Sequence, residues 1–207
     1  MLRALASGLA VSLLAATPAR ADVSYSYVEG AVFQTNTDTS FSTNLKGTGA
    51  EGWFSYGVLK LLHVFGGGNE VEFDGYSAKT TLAEAGAGVN FNPSRLTSIY
   101  FDVAAVSSTA GRVTPGGPRI GVNDDGYTYL FGWRETNKSG GMEFNLSAQR
   151  IDYNKTNATD TWINMGLTFR ITPRFKLTTA VQFAGDNDLF KFGVRYYLPS
   201  RFDKQRD

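Results

Sequence analysis

Strict alternation of apolar and polar positions runs through most of this chain and predicts β-strands. In the segment 189–198, Phe192 and Val194 share one face, whereas Lys191 and Arg195 share the other. A period of two residues over this length is typical of a strand that lies between two different environments. We therefore expect one face of this strand to meet an apolar phase and the other a polar one.

Ten segments carry the alternation, and each is near the ~9 to 11 residues that a tilted membrane strand requires. They are 22–33, 48–58, 62–73, 79–91, 97–107, 126–136, 142–153, 160–170, 175–185 and 188–198. No helical period interrupts them and no linker divides them. The pattern predicts one all-β domain of about ten strands, with eight or twelve as the alternatives, and even numbers are typical of single-chain bacterial barrels.

The connections between the segments tend to alternate in length. Short ones at 59–61, 92–96, 137–141 and 172–174 contrast with long ones at 34–46 and 108–125 and intermediate ones at 74–78 and 154–159. Short periplasmic turns and longer external loops are typical of outer-membrane barrels. This arrangement predicts an up-and-down antiparallel barrel with both termini in the periplasm.

Alternation alone does not decide which face is outside, because a soluble barrel with an apolar interior has the same period. The residues on the polar face of each strand favour a membrane barrel over a soluble one, because they are small and few of them are charged. In the fourth strand they are Glu84, Gly86, Gly88 and Asn90. Water-facing strands usually carry more Lys and Glu. Aromatic residues at the predicted strand ends match two interfacial girdles; they are Tyr25, Tyr27, Phe73, Phe91, Tyr127, Trp133, Tyr153, Phe169, Phe175 and Tyr196.

The first 21 residues have the features of a signal peptide. Arg3 gives a short basic start, 4–17 is apolar but too short to span a bilayer, and Ala19-Arg20-Ala21 fits the cleavage rule. We expect a signal peptide at 1–21, a barrel at 22–198 and a periplasmic tail at 199–207.

Charge and cysteine content narrow the function classes. The chain has 20 Lys and Arg residues and 19 acidic ones, so removal of Arg3 and Arg20 leaves 18 basic residues and a formal charge near −1. This balance argues against nucleic acid as a partner. Cysteine is absent, which excludes disulfides and thiolate metal sites.

The last predicted strand resembles the C-terminal insertion signal of bacterial outer-membrane barrels, through Lys191, Gly193, Tyr196 and Leu198. It departs from that pattern because residues 199–207 follow the strand. Together with the signal peptide, the mature start Asp-Val-Ser-Tyr-Ser-Tyr-Val-Glu-Gly and the strand start at 62–67, it makes the chain similar to the small porin-like outer-membrane β-barrel proteins of Gram-negative bacteria. The resemblance implies an outer-membrane location, contact with outer-membrane lipid and handling by the barrel assembly machinery.

Charged residues of both signs fall on the predicted inner face. They are Glu51, Glu84, Asp102, Arg134, Glu143, Arg170, Lys176, Lys191 and Arg195. A ten-stranded barrel is little wider than the eight-stranded kind whose interior side chains fill it. Because unpaired charges in such a lumen are costly, we expect a charge network that plugs the barrel, with a selective conducting pore as the alternative.

Catalytic and metal chemistry have little support in the sequence. His63 is the single histidine and follows a short turn, which predicts a periplasmic rim position away from outer-leaflet substrates, with no Ser or acid beside it in sequence. Residues 123–126 suggest a turn, because they lack the alternating acids of a calcium loop. No catalytic, metal or cofactor residue is therefore predicted.

Three function hypotheses follow from these observations. The leading one is a non-enzymatic outer-membrane barrel, structural or weakly porin-like. The second is an outer-membrane enzyme acting on lipid or peptide. The third is a surface adhesin or ligand-binding barrel, with the external loops 34–46 and 108–125 as the contact for a surface ligand. The sequence leaves the solute, the surface partner and the oligomeric state open.

Overall fold

The computed structural model describes residues 24–38, 44–74, 78–112, 120–185 and 187–199. Ten strands occupy most of them: β1 (Tyr27–Asp38), β2 (Asn44–Gly57), β3 (Leu62–Phe73), β4 (Ala78–Phe91), β5 (Thr97–Arg112), β6 (Ile120–Thr136), β7 (Met142–Tyr153), β8 (Thr159–Arg170), β9 (Phe175–Ala184) and β10 (Asn187–Tyr197). In this part of the chain, no helix has the length and apolar character needed to cross a membrane.

The strands form one closed antiparallel barrel. Each strand pairs with its neighbours in sequence, and β1 pairs with β10 in a register that joins Tyr27 to Tyr197 and Thr37 to Asn187. Closure gives every strand a partner on each side, so the barrel has no open sheet edge where all ten strands are paired. The predicted ten-stranded up-and-down barrel is confirmed.

The two ends of the barrel are named here from their connections. The turn end carries the connections 58–61, 92–96, 137–141 and 171–174, together with residues 24–26 and 198–199. The loop end carries the connections 39–43, 74–77, 113–119, 154–158 and 185–186.

The turn at 137–141 shows how local sequence closes the turn end. The Asn137 Oδ1 accepts hydrogen bonds from the backbone N–H groups of Gly141, at 2.8 Å, and Met142, at 3.2 Å. Gly140 has a φ of 63°, a left-handed conformation that glycine adopts without a steric penalty. Asn and Gly thus supply the side-chain acceptor and the backbone freedom that a tight turn requires.

The outer surface of the barrel is apolar on all ten strands. Phe91 exposes 64% of its surface and Val32 63%. Other outward side chains of this band are Val28, Phe54, Tyr56, Val64, Val89, Phe101, Val103, Tyr127, Phe131, Leu146, Ile163, Met165, Phe175, Phe183, Phe190, Phe192 and Val194. Soluble monomers rarely expose a contiguous apolar surface of this extent, so the band faces lipid and the chain is a transmembrane β-barrel.

The strand bounds differ from the prediction mainly at the loop end. β1 begins and ends five residues later than predicted, while β5 and β6 extend to Arg112 and Ile120. The predicted connections 34–46 and 108–125 therefore shrink to 39–43 and 113–119, which lie outside the described residues. Polar and small residues predominate in these strand extensions, so no sustained apolar alternation marks them.

The predicted turn at 123–126 is also wrong, because these residues continue β6. The Asp124 carboxylate accepts hydrogen bonds from the backbone N–H groups of Lys155 and Thr156, both at 2.9 Å. It therefore fastens the β7–β8 connection onto β6. The predicted signal peptide 1–21 and residues 200–207 of the predicted tail lie outside the described residues.

Candidate functional site

Five charged side chains meet inside the turn end of the barrel and are called here the charge cluster: Glu29, Arg134, Glu143, Lys176 and Arg195. Glu143 lies at its centre. Its Oε1 is 3.2 Å from the Arg195 Nη1 and 3.3 Å from the Arg134 Nε, and its Oε2 is 3.2 Å from the Lys176 Nζ. The Arg195 Nε also lies 2.6 Å from the Glu29 Oε2. The cluster therefore bridges strands on opposite sides of the lumen.

Tyrosine rings complete the surroundings of the three cations. The Arg134 guanidinium lies 4.8 Å from the ring centre of Tyr25, and the Arg195 guanidinium lies 4.2 Å from that of Tyr27. The Lys176 ammonium lies 4.4 Å from the ring centre of Tyr197. Aromatic faces attract cations, so these rings offset the excess of one positive charge in the cluster.

The residues that precede β1 turn into the lumen. The Tyr25 hydroxyl is 2.8 Å from the Ser98 Oγ, and the Tyr25 ring stacks on the His63 ring with 4.5 Å between their centres. The Ser26 Oγ accepts a hydrogen bond of 3.1 Å from the Gly57 N–H. Tyr25, Ser26 and Ser98 are all buried. This segment and the charge cluster together fill the turn end.

The prediction of two aromatic girdles is partly wrong, because several of the aromatic residues at strand ends point into the lumen. Tyr25 is buried, and Tyr27, Phe73 and Tyr153 line the lumen instead of facing lipid. Strand ends alone do not reveal which face an aromatic side chain occupies, since β1 and β3 carry aromatic residues on the inner face.

His63 lies at the turn end of the barrel, as its place after a short turn predicts, but its side chain is buried in the lumen and is not on the rim. It is 2% exposed, and its Nε2 is 3.0 Å from the Asp102 Oδ1. No hydrogen bond joins His63 to a serine or threonine hydroxyl among the described residues, and Ser98, which is also buried at this end, bonds to Tyr25. The His63 Nδ1 has no hydrogen-bond partner there. His63 is thus in contact with Asp102 and Tyr25, and among the described residues no hydroxyl is hydrogen-bonded to its imidazole as in a hydrolytic triad.

The other predicted lumen charges are distributed along the barrel. Glu51 and Lys191 form a separate pair, with 2.6 Å between the Oε1 and the Nζ. The Glu84 Oε1 accepts hydrogen bonds from the Thr128 hydroxyl at 2.9 Å and the Gln149 amide at 3.1 Å. Four of the nine predicted residues thus meet in the charge cluster, and four others lie elsewhere in the lumen.

Arg170 departs from the prediction. It is the last residue of β8, is exposed, and forms no ion pair with any described residue. By alternation Arg170 is on the inward face of β8. The strand has reached the rim there, however, so water solvates the guanidinium and no buried partner is required.

The residues of the predicted insertion signal occupy both faces of β10. Lys191 and Gly193 point inward and Tyr196 packs on Phe175, with 4.8 Å between ring centres. Leu198 follows the strand and its N–H donates to the Ser26 carbonyl at 2.9 Å. Their role in membrane insertion stays a prediction.

Glu29 is the functional residue that the sequence reasoning missed. The inward set of β1 reads Tyr, Glu, Ala, Phe at 27, 29, 31 and 33, and the outward set contains Gly30 and Gln34, so neither face is clearly polar. No charge imbalance pointed to it either, because the predicted residues that do lie in the lumen are four acids and four bases.

The lumen contains a cavity of about 420 Å³ whose lining includes Glu29, Arg134 and Arg195 of the charge cluster and extends toward the loop end. Its walls carry Phe33, Trp53, Ile151, Trp162 and Leu189, together with the acids Glu84 and Asp160. Inward glycines make room for the bulky side chains, since a methyl group on Gly67 would meet the Trp53 ring and one on Gly132 would meet the Tyr100 ring. The described residues contain no group of three His, Asp or Glu side chains placed to hold a metal ion.

No protein-family model and no curated protein matches the chain. Among solved structures, the NanC porin is similar with a TM-score of 0.53 at 9% identity, covering 83% of this chain and all (100%) of the porin. Neisserial surface protein A has a TM-score of 0.48 at 13% identity, covering 84% of this chain and 98% of that protein. The KdgM porin in complex with disordered oligogalacturonate has a TM-score of 0.48 at 10% identity, covering 84% and 99%. The likeness to the NanC porin supports the closed β-barrel fold.

Proposed function

We propose that this chain, a barrel with the fold of the small porin-like proteins, is a non-enzymatic protein of the bacterial outer membrane whose lumen is closed at the turn end. The observation that carries the proposal is the burial of Glu143, which is 2% exposed while it contacts three cations. Ions that bridge the lumen in this way occupy the space that a permeating solute would need.

The proposed orientation puts the turn end in the periplasm and the loop end outside the cell. It is supported by the short connections at the turn end, because outer-membrane barrels have short periplasmic turns. The apolar band then contacts outer-membrane lipid, and insertion requires the barrel assembly machinery.

The absence of enzymatic activity is part of the proposal and rests on His63. A general base needs access to the proton it removes, whereas Tyr25 covers the imidazole and no described serine hydroxyl bonds to it. An activity on lipid or peptide that His63→Ala abolishes in a correctly folded barrel would contradict this part.

Single-channel recording in planar bilayers tests the closure. We expect no steady conductance from the wild-type barrel and a measurable one from the double variant Tyr25→Ala/Arg134→Ala, which removes two side chains from the turn end. Tyr56→Ala, on the lipid face, is the control and should resemble the wild type. Heat-modifiable migration on gels confirms folding of each variant. Steady conductance of the wild type, unchanged in the double variant, would contradict the proposal.

A further inference from the structure

The loop-end half of the lumen differs chemically from the charge cluster below it. A cavity of about 420 Å³ extends from this half of the lumen down to His63, Arg134 and Arg195 at the turn end, and its volume lies within the ~300 to 1,000 Å³ that small-molecule sites typically have. Phe33, Trp53, Ile151, Trp162 and Leu189 give it aromatic and aliphatic walls. An organic molecule that binds there would remove apolar surface from water, and this transfer is favourable.

The cations that line this cavity are already paired. Lys191 binds Glu51, and Arg134 and Arg195 bind Glu143. Two acids remain without a cation among the described residues, since neither Glu84 nor Asp160 forms an ion pair there. Acidic groups therefore outnumber lysines and arginines in the lining of the cavity.

Glu84 is 7% exposed, and its two hydrogen bonds, from Thr128 and Gln149, both go to Oε1. A buried carboxylate is costly unless its charge is compensated. The second carboxylate oxygen therefore has the capacity for a charged donor from within the cavity.

Asn164 gives an independent indication of what the cavity lacks. Its side chain lines the cavity and is 8% exposed, and its Oδ1 has no hydrogen-bond partner. A buried acceptor left unsatisfied costs free energy comparable to a lost hydrogen bond. Glu84 and Asn164 are both acceptors, so the missing group is a donor.

We propose that the lumen cavity binds a small amphipathic organic cation, with its ammonium group at Glu84 and Asn164 and its apolar part against Trp53 and Trp162. Ammonium groups supply several N–H donors and one positive charge, and aromatic rings attract both cations and hydrocarbon. An anionic ligand would meet Glu84 and Asp160 unfavourably. The site exists whether or not the charge cluster blocks conduction, so binding and conductance fail independently.

Calorimetric titration of the folded full chain in detergent tests the site, with phenethylammonium as the probe. Phenylacetate, which carries the same ring with a negative charge, and 2-phenylethanol, which is neutral, are the matched ligands. We expect phenethylammonium to bind, 2-phenylethanol to bind more weakly, and phenylacetate to give no measurable heat of binding. Equal binding of all three, or no binding of phenethylammonium, would overturn the proposal.

Variants locate the binding within the lumen. Glu84→Gln keeps hydrogen-bonding groups but removes the charge, and should weaken phenethylammonium binding by about tenfold or more. Glu70→Gln, an exposed acid on β3, is the control and should leave binding unchanged. If Glu84→Gln fails to fold, Asp160→Asn and Trp162→Leu carry the test, since both lie near the open end of the cavity. Unchanged binding in the folded cavity variants would overturn the assignment.

Discussion

The ring of Tyr25 stacks on the imidazole of His63, with 4.5 Å between the ring centres and 24° between the planes. Tyr25 precedes the first strand, and His63 is the second residue of the third. The contact therefore ties the start of the described chain to the inner wall of the barrel. The His63 Nε2 is also 3.0 Å from the Asp102 Oδ1, so three buried side chains are in contact.

We expect His63→Ala to lower the free energy of unfolding by roughly 2 to 4 kcal/mol, because it leaves the Asp102 carboxylate buried without its partner. Urea titration of the barrel in phospholipid vesicles measures the loss. The double variant His63→Ala/Asp102→Ala should lose less than the sum of the two single variants, since no lone carboxylate remains. Strictly additive losses would show that the two side chains do not interact.

Glu143→Gln should lower the free energy of unfolding more than the removal of an exposed charge does. It leaves Arg134 and Lys176 without an acid within ion-pair distance among the described residues, and breaking a buried ion pair costs about 3 to 5 kcal/mol. Unfolding titrations of both proteins give the difference.

The control for this variant is Glu70→Gln, which removes an exposed acid paired with Lys79. Exposed pairs contribute about 0 to 1 kcal/mol, so its stability should stay near that of the wild type. Equal losses for the two variants would contradict the central role of Glu143 in the charge cluster.

A methyl group on an inward glycine should also destabilise the barrel. Gly132→Ala would place Cβ against the Tyr100 ring, whereas Gly52→Ala points outward with no heavy atom within 4 Å. Overpacking of this kind costs about 1 to 3 kcal/mol. We expect a loss for Gly132→Ala alone, measured by the midpoint of urea unfolding, and similar midpoints for both variants would contradict the packing.

The ten strands were predictable because a membrane barrel imposes two environments on every strand, and β10 shows both without interruption from Phe190 to Tyr197. The same alternation predicted the inner positions of Arg134, Glu143, Lys176 and Arg195. It failed for Arg170, because alternation gives the direction of a side chain and not its distance from the rim.

The contacts between those residues were not predictable. Arg134, Lys176 and Arg195 come from β6, β9 and β10 and reach Glu143 on β7, which depends on barrel diameter and strand stagger. Tyr25 and Ser98 are 73 residues apart in sequence, so no local pattern joins them. Glu84 and Asn164 could be assigned to the inner face, but their unsatisfied acceptor capacity is a property of the closed barrel.

Because the outer band faces lipid, replacement of valine by arginine should lower the free energy of unfolding much more within the band than at a site of similar exposure outside it. Val194 is 50% exposed within the apolar band, and Val122 is 58% exposed in the part of β6 that only β5 pairs with. Val194→Arg should cost roughly 2 to 4 kcal/mol if it lies near the bilayer midplane, whereas Val122→Arg should cost about 0 to 1 kcal/mol because water reaches it. Unfolding titrations in vesicles compare the two variants, with Val194→Leu as the control for shape. Small and equal losses for both arginine variants would mean that the outer band faces water, and the transmembrane assignment would then be wrong.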